Sequence, residues 1–382
     1  MRILFSIHHH LTPNLGAPGV TFQLAKHFAE RGDHSKVLSF TDMPKGRLLR
    51  SEVFQQVRFP WYVARELSKV ASDFDVIDCS SGDGWVYQTI RSRKNVLMVA
   101  RSHGMEHLVD VAFRREVAHG NQTSSWKYPI YHGGYRLWEV AQSFKTADLS
   151  VHPNDADRRF AIEHLGVQPE NAVVLPSGIP DQFTRLPARL PSSEQSGLKL
   201  AVVGSYTHRK INVAPQALNK ILSAYPDLRV GFLGTGVSSE VVLKDYGPEL
   251  HSRISVETNY SHANLPAVLA PYDVLLFPSL SEGFGLVVYE AMACGLAVVA
   301  TELDALRTYL RHEHDVLFVP IGCASAIENA IVRLICDRAL LTCLQRNGNE
   351  TARRFTWSSI VEKTAAIYED RMARKHHPSK NR

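Results

Sequence analysis

Residues 274–295 read VLLFPSLSEGFGLVVYEAMACG. The apolar run VLLFP has the composition of a buried strand, and glycines at 283 and 285 follow it in a short loop. A helix begins near Gly285. The first amides of a helix lack partners within the helix, and the aligned peptide dipoles add partial positive charge there. A strand–glycine loop–helix junction therefore suits an anion such as phosphate, and Gly283 and Gly285 let the backbone approach it with no Cβ in the way. Glu282 stands in the loop and Glu290 eight positions later in the helix. Two carboxylates beside an anion are electrostatically unfavourable unless each accepts hydrogen bonds from hydroxyls, as a carboxylate does from a vicinal diol. Taken singly, either glutamate reads as a helix cap or a surface residue. Together with the glycines they read as a site for a ligand carrying both phosphate and hydroxyls.

The same alternation of short apolar runs and amphipathic stretches extends outward in both directions. Arg2–Ile7 reads as a strand and Thr21–Arg31 as a helix stopped by Gly32. Further strands are expected at Lys36–Phe40, Asp75–Cys79, Asn95–Ala100, Asp148–His152 and Ala172–Pro176. Pro176–Gly197 breaks the pattern with four prolines and little periodicity, and reads as an interdomain linker. Strands resume at Leu198–Val203, Arg229–Leu233, Ile254–Glu257, Val274–Pro278, Ala297–Thr301 and Val316–Pro320. From Ala324 to Arg371 the pattern is helical, with breaks expected near Asn347–Gly348 and around Phe355–Ser358. Strands that are apolar throughout and separated by helices imply parallel sheets covered on both faces. The expected architecture is α/β: two Rossmann-like, doubly wound domains facing a cleft, which is the default place for a ligand. The boundaries fall at 1–178 for the first domain, 179–197 for the linker and 198–358 for the second domain. A C-terminal helix at 359–372 is expected to pack back on the first domain, with a basic tail at 373–382.

Composition narrows the classes of function. With 382 residues, 45% hydrophobic and 21% charged, the chain is an ordinary globular protein long enough for two cores. The balance of 43 basic and 38 acidic residues, a net +5, is too mild and scattered for nucleic-acid binding. Five cysteines form no Cys-x-x-Cys pair and are odd in number, which argues against a disulfide framework or a zinc site and for a reducing compartment. No apolar run approaches the ~20 residues needed to span a bilayer, and MRILFSIHHH does not read as a signal peptide. His8, His9 and His10 alternate faces along an extended segment and do not read as a metal cluster, although one of them can line a cleft. Asp73-Phe-Asp75 reads as polarity at the start of a strand. Trp126, Tyr128, Tyr131, Tyr135 and Trp138 form an aromatic-rich stretch whose helical spacing suggests packing first and ligand stacking second.

Glu282-Gly-Phe-Gly-Leu followed by Glu290-Ala-Met-Ala-Cys-Gly resembles the Glu-x7-Glu signature of glycosyltransferase family 4, retaining enzymes of the GT-B fold. The likeness extends to Pro278-Ser279, to Ala297–Thr301 and to Phe355–Asp370. It implies a nucleoside-diphosphate sugar as donor, UDP- or GDP-linked, bound mainly by the second domain. Gly283, Phe284, Gly285, Leu286 and Glu290 then bind the donor, and Glu282 is placed in the catalytic set. Val203-Gly-Ser-Tyr-Thr-His-Arg-Lys210 resembles the family's diphosphate loop. Lys210 matches its lysine, Ser205 occupies the usual arginine position, and Arg209 is a candidate to replace that charge. Gly234-Thr-Gly236 corresponds to a glycine turn facing the nucleotide in similar enzymes, and is equally a plain tight turn. Leu15-Gly-Ala-Pro-Gly19 resembles a glycine loop over the donor phosphate, which makes Gly16 and Gly19 donor contacts, with a simple strand–helix turn as the other reading. His103 stands where the family has a histidine near the transferred sugar, and Glu106 is an acceptor-side candidate.

The resemblance further implies transfer with retention to a hydroxyl acceptor, by front-face attack in which the departing phosphate takes the proton. It implies no cofactor and no metal. It also implies a place in polysaccharide or glycolipid synthesis, in the cytoplasm, with room for peripheral contact at the inner face of the membrane. Two rivals stay open: a GT-B-fold epimerase or phosphorylase, and a degenerate nucleotide-sugar-binding module. Ser205, and Leu303–Arg307 (LDALR) where many relatives carry Gly-Gly and a further glutamate, favour the second rival.

Overall fold

A computed structural model describes residues 1–13, 16–44, 52–90, 96–120, 122–186, 197–206 and 213–376. The chain forms two compact units, Met1–Gly178 with the segment from Trp357 onward, and Ile179–Thr356. The first unit holds strands β1 (Arg2–Ile7), β2 (His34–Ser39), β3 (Val76–Ser80), β4 (Leu97–Arg101), β5 (Leu149–His152) and β6 (Ala172–Val174), in the order β2-β1-β3-β4-β5-β6. The second holds β7 (Lys199–Val203), β8 (Arg229–Leu233), β9 (Ile254–Glu257), β10 (Val274–Phe277), β11 (Ala297–Thr301) and β12 (Leu317–Val319), in the order β12-β11-β10-β7-β8-β9. All pairings are parallel. This is the two-sheet, doubly wound α/β architecture expected from the apolar runs.

Alternate residues of a strand point to opposite faces, so a sheet covered by helices on both sides needs apolar residues at every position. β10 meets that demand: Val274 and Leu276 enter one core with Leu200, Val299 and Ile331, while Leu275 and Phe277 enter the other with Ala201, Val298 and Tyr289. The segment expected as a linker begins inside the second unit. Ile179 and Phe183 are fully buried, and the Ile179 amide donates to the Phe355 carbonyl, so apolar burial overrides the proline-rich composition. Residues 187–196 lie outside the described residues.

Three helical expectations change. The first helix runs Gly16–Glu30 rather than from Thr21, so Gly16–Gly19 are its first turn and not a loop; Pro18, with its fixed φ, suits that turn. The helix Arg338–Ala352 continues through Asn347–Gly348. Asn347 Nδ2 donates to the His314 carbonyl, and a Cβ on Gly348 would lie 3.1 Å from Met292 Cγ, so the pair serves close packing rather than a break. The last helix spans Trp357–His376, taking in residues 373–376 of the expected basic tail. Lys375 Nζ holds that end by donating to the Val96 carbonyl and to Asp148 Oδ2, both at 2.7 Å.

The middle of this helix is tied to the sheet by a buried triad. Arg101 on β4 pairs with Asp78 on β3; Tyr368 donates to Asp78 Oδ2 at 2.5 Å and accepts from Arg101 Nη2 at 2.7 Å. Buried charges persist only with such partners, because an unpaired one retains its full desolvation cost. Tyr368→Phe, which leaves both charges one partner short, should lower the unfolding free energy by about 1–3 kcal/mol, read by urea denaturation with far-ultraviolet circular dichroism.

Candidate functional site

In the second unit the chain winds outward from β7 through β8 to β9, then returns to β10 on the opposite side of β7. The loops leaving β7 and β10 diverge, and a crevice opens at their carboxyl ends. Gly204, Ser205 and Tyr206 line it from β7, and Pro278 and Ser279 from β10, around a solvent-open pocket with Phe232 on its wall. The Tyr206 amide donates to the Thr235 carbonyl, which knits the loop after β7 to the turn after β8.

The glycine loop follows β10 directly. Gly285 adopts a left-handed conformation (φ 78°, ψ 50°) and caps the helix Leu286–Ala293. Non-glycine residues are strained there, and a Cβ would also lie 3.0 Å from Leu306 Cδ2. Phe284 stacks on Tyr289 at 4.2 Å and meets Phe355 and Tyr309 edge-on, so its ring belongs to the core and only its backbone remains for a ligand. Leu303, Ala305 and Leu306 of LDALR are buried, and Leu306 covers Gly285. That departure from the common pattern is therefore a packing solution.

The two glutamates differ in setting. Glu282 is half-buried and accepts from Ser279 Oγ at 2.6 Å, a bond that fixes the loop carboxylate above the end of β10. Glu290 is 2% exposed and is the sole charged residue of its otherwise apolar helix. Its Oε1 lies 2.7 Å from His262 Nε2. His262 belongs to the short turn His262–Asn264 and carries no motif, so the sequence offered no sign of it. Glu290 is thus enclosed, whereas Glu282 remains partly open to solvent.

Ser205 is half-buried at the mouth of the crevice. Gly234 is left-handed (φ 71°), and a Cβ there would stand 2.8 Å from Tyr260 Cε1, which gives the Gly-x-Gly turn a steric reason of its own. Arg209 and Lys210 lie outside the described residues.

The first unit has a second polar constellation, at the carboxyl ends of β1, β3 and β4. His103 follows β4, and its Nε2 lies 2.5 Å from Ser80 Oγ. Burial first, then the nearby Arg101 charge, pushes its pKa down to about 3, so the imidazole is neutral and acts as a hydrogen-bonding group rather than a charge. Ser6 Oγ donates to Asp83 Oδ2, His8 Nδ1 meets Asp83 Oδ1 at 2.8 Å, and Arg136 Nη2 meets His8 Nε2 at 3.0 Å. A guanidinium can only donate, so His8 Nε2 accepts and its Nδ1 carries the proton shared with Asp83. Burial raises Asp83 to about 7, against the pull of Arg136. Ser81, in the turn between, holds φ 44°, a conformation costly for a residue with a Cβ.

Glu106, expected on the acceptor side, receives both Arg136 Nε and Nη2 at 2.9 Å. Burial would raise its pKa, but the Arg136 charge outweighs that and holds it at about 2. The carboxylate is thus committed to a bidentate pair, and Arg136, unremarked in the aromatic-rich stretch, organises the cluster. Within that stretch Tyr131 is buried and Trp138, although 46% exposed, packs edge-on against Trp85 and stacks on Tyr135, whereas Trp126 is 75% exposed. Gly19 is buried with its Cβ position 3.2 Å from the Pro13 carbonyl oxygen, and Gly16 is exposed; both are helical.

Two doubly wound units, each with a parallel six-stranded sheet, and a glycine–carboxylate junction after the tenth strand define a GT-B-type architecture, and solved structures agree. Sucrose-phosphate synthase from Thermosynechococcus elongatus matches with a TM-score of 0.77, 21% identity, and coverage of 98% of this chain and 100% of that one. HepE from Anabaena, in complex with UDP and glucose, matches with a TM-score of 0.66, 18% identity, and coverage of 97% and 99%. The model of Glycosyltransferase Family 4 matches residues 16–183, and that of Glycosyl transferases group 1 matches residues 197–337. The chain belongs to this family of glycosyltransferases. A phosphatidyl-myo-inositol mannosyltransferase of Mycobacterium leprae is 27% identical over 256 residues, 66% of this chain and 65% of that protein's length.

Because Gly285 combines a left-handed backbone with a crowded Cβ position, Gly285→Ala should destabilise the protein by about 1–2 kcal/mol, measured as a lowered denaturation midpoint. Gly285→Asn should lose less, since asparagine tolerates that conformation better.

Proposed function

We propose that this protein is a retaining glycosyltransferase that moves a sugar from a nucleoside-diphosphate sugar to a hydroxyl of an acceptor. The observation that carries the reading is the junction after β10: a left-handed glycine opening a buried helix, with Glu282 fixed by Ser279 and Glu290 enclosed at 2% exposure. A carboxylate placed at such cost in an apolar helix needs a ligand or partner that uses it. In this reading Glu290 and Glu282 accept from ring hydroxyls, and the amides near Phe284–Leu286 donate to the diphosphate.

Charge develops on the diphosphate as the glycosidic bond breaks, and fixed donors and cations stabilise it as it forms. Lys210 and Arg209 supply the cations, with Ser205 in the place of the usual arginine. Metal ions are not required for this step. The sugar passes through an oxocarbenium-like state, the acceptor hydroxyl attacks the same face, and its proton passes to the departing phosphate oxygen. His103, neutral and bonded to Ser80, is suited to hydrogen bonding and not to acting as a charged group. The family match over both units and the likeness to a phosphatidyl-myo-inositol mannosyltransferase support a setting in glycolipid or polysaccharide synthesis.

A panel of nucleotide sugars screened for thermal stabilisation should single out one donor, because a ligand that binds only the native state raises its apparent stability. With that donor, release of nucleoside diphosphate should be at least roughly tenfold slower in Lys210→Ala and should need more donor in Glu290→Ala. EDTA should leave the rate unchanged; loss of activity restored by Mn²⁺ would overturn the metal-free mechanism. Stabilisation by no nucleotide sugar would overturn the donor reading.

A further inference from the structure

Glu290 creates an electrostatic problem for the site in which it stands. An ionised carboxylate buried in an apolar helix costs several kcal/mol unless paired, and it repels any diphosphate held at the start of the same helix. The described part of the second unit contains one answer. His262, 28 residues away in sequence, directs Nε2 at Glu290 Oε1 across 2.7 Å. The ring is kept in place by Phe183, whose centroid lies 5.8 Å away at an interplanar angle of 41°, and the turn is tied down by Gln182 Nε2 donating to the Ala263 carbonyl. The His262 side chain is 23% exposed against 3% for Glu290, so the histidine sits at the edge of solvent with the carboxylate behind it.

We infer that His262 is the counter-charge of Glu290: an imidazolium that fixes the carboxylate and cancels its charge, so that one helix end can hold a diphosphate and sugar hydroxyls together. The inference rests on the donor-site reading above and makes His262 a positioning residue, acting on the ligand through Glu290. Oε1 is oriented by the imidazole, and the remaining lone pairs of the carboxylate stay available for hydroxyls. Among the described residues Glu290 is the charged group acting on the ring, and its other contact, Phe183, is uncharged. The hydrogen bond to Glu290 raises the imidazole pKa above its ordinary value, against the opposing effect of burial. A raised histidine pKa means that the cation is present below the ordinary value and is lost as pH rises through the raised one. The charge cancellation is therefore complete on the acid side and fades toward alkaline pH.

The test is calorimetric titration of the full-length chain with UDP and with GDP, from about pH 6 to about pH 9, a span that brackets imidazole titration. Whichever nucleotide binds should bind the wild-type protein more weakly as pH rises. His262→Gln keeps a donor but carries no charge, so it should bind roughly tenfold more weakly at the acid end and show a flatter profile. His262→Lys keeps a charge that does not titrate in this range, so it should hold its affinity at alkaline pH. In a Glu290→Gln background, where there is no charge to cancel, His262→Gln should have no further effect. Circular dichroism and melting curves identify any variant that fails to fold, and the lysine and glutamine variants then check one another. Wild type and His262→Gln with the same affinity and the same profile would overturn the inference. Weakened binding in Glu290→Gln with unaltered histidine variants would overturn it while sparing the donor-site reading. Binding of neither nucleotide to the wild-type protein would remove both.

Discussion

A carboxylate in the wrong solvent organises the second unit. The helix Leu286–Ala293 is apolar because it packs on a sheet buried from both sides, yet it carries Glu290 at 2% exposure. An unpaired charge there would be untenable, and the pairing with His262 resolves the local energetics while leaving oxygen lone pairs available for a ligand. The surrounding features are packing solutions at the same junction. Gly285 must turn sharply to start the helix against β10, Leu306 fills the space beside it, and Phe284 is drawn into the aromatic cluster with Tyr289 and Phe355. The loop between strand and helix is left short, with its carboxylate held by Ser279.

The first unit solves a related problem with different groups. Its carboxyl-end cluster gathers Asp83, His8, Glu106 and Arg136, and here a single buried guanidinium does what His262 does in the second unit. His103 stands next to this cluster and is kept neutral by burial and by positive neighbours. Both units therefore place polar groups where parallel strands end, because only there do backbone groups and side chains escape the apolar layers above and below the sheet. Elsewhere the polar interior is structural, as in the Arg101–Asp78–Tyr368 triad that fastens the last helix.

The fold was legible to the extent that its rules are local. Apolar runs such as those of β10 and β11 are buried at every position, so the strands announced themselves without periodic ambiguity. Local rules failed where packing prevailed over propensity. Asn347–Gly348 looked like a break and instead lies inside a helix, because the missing side chain admits Met292. Pro176–Gly197 looked like a linker throughout, but Ile179 and Phe183 had an apolar core to enter. Gly16–Gly19 looked like a loop and proved to be the first turn of a helix, since glycine composition alone does not report which contacts the backbone makes.

By itself the sequence determined the class of architecture, the strand–glycine–helix junction and the two glutamates within it, because each depends on residues a few positions apart. Only the tertiary structure decided what those glutamates meet. His262 and Glu290 are separated by 28 residues, Arg136 and His8 by 128, and Tyr368 and Asp78 by 290. None of these pairs has a periodic or compositional signature. They exist because each sheet gathers helices, strands and loops that are distant in sequence, and a buried charge accepts whatever partner that packing supplies.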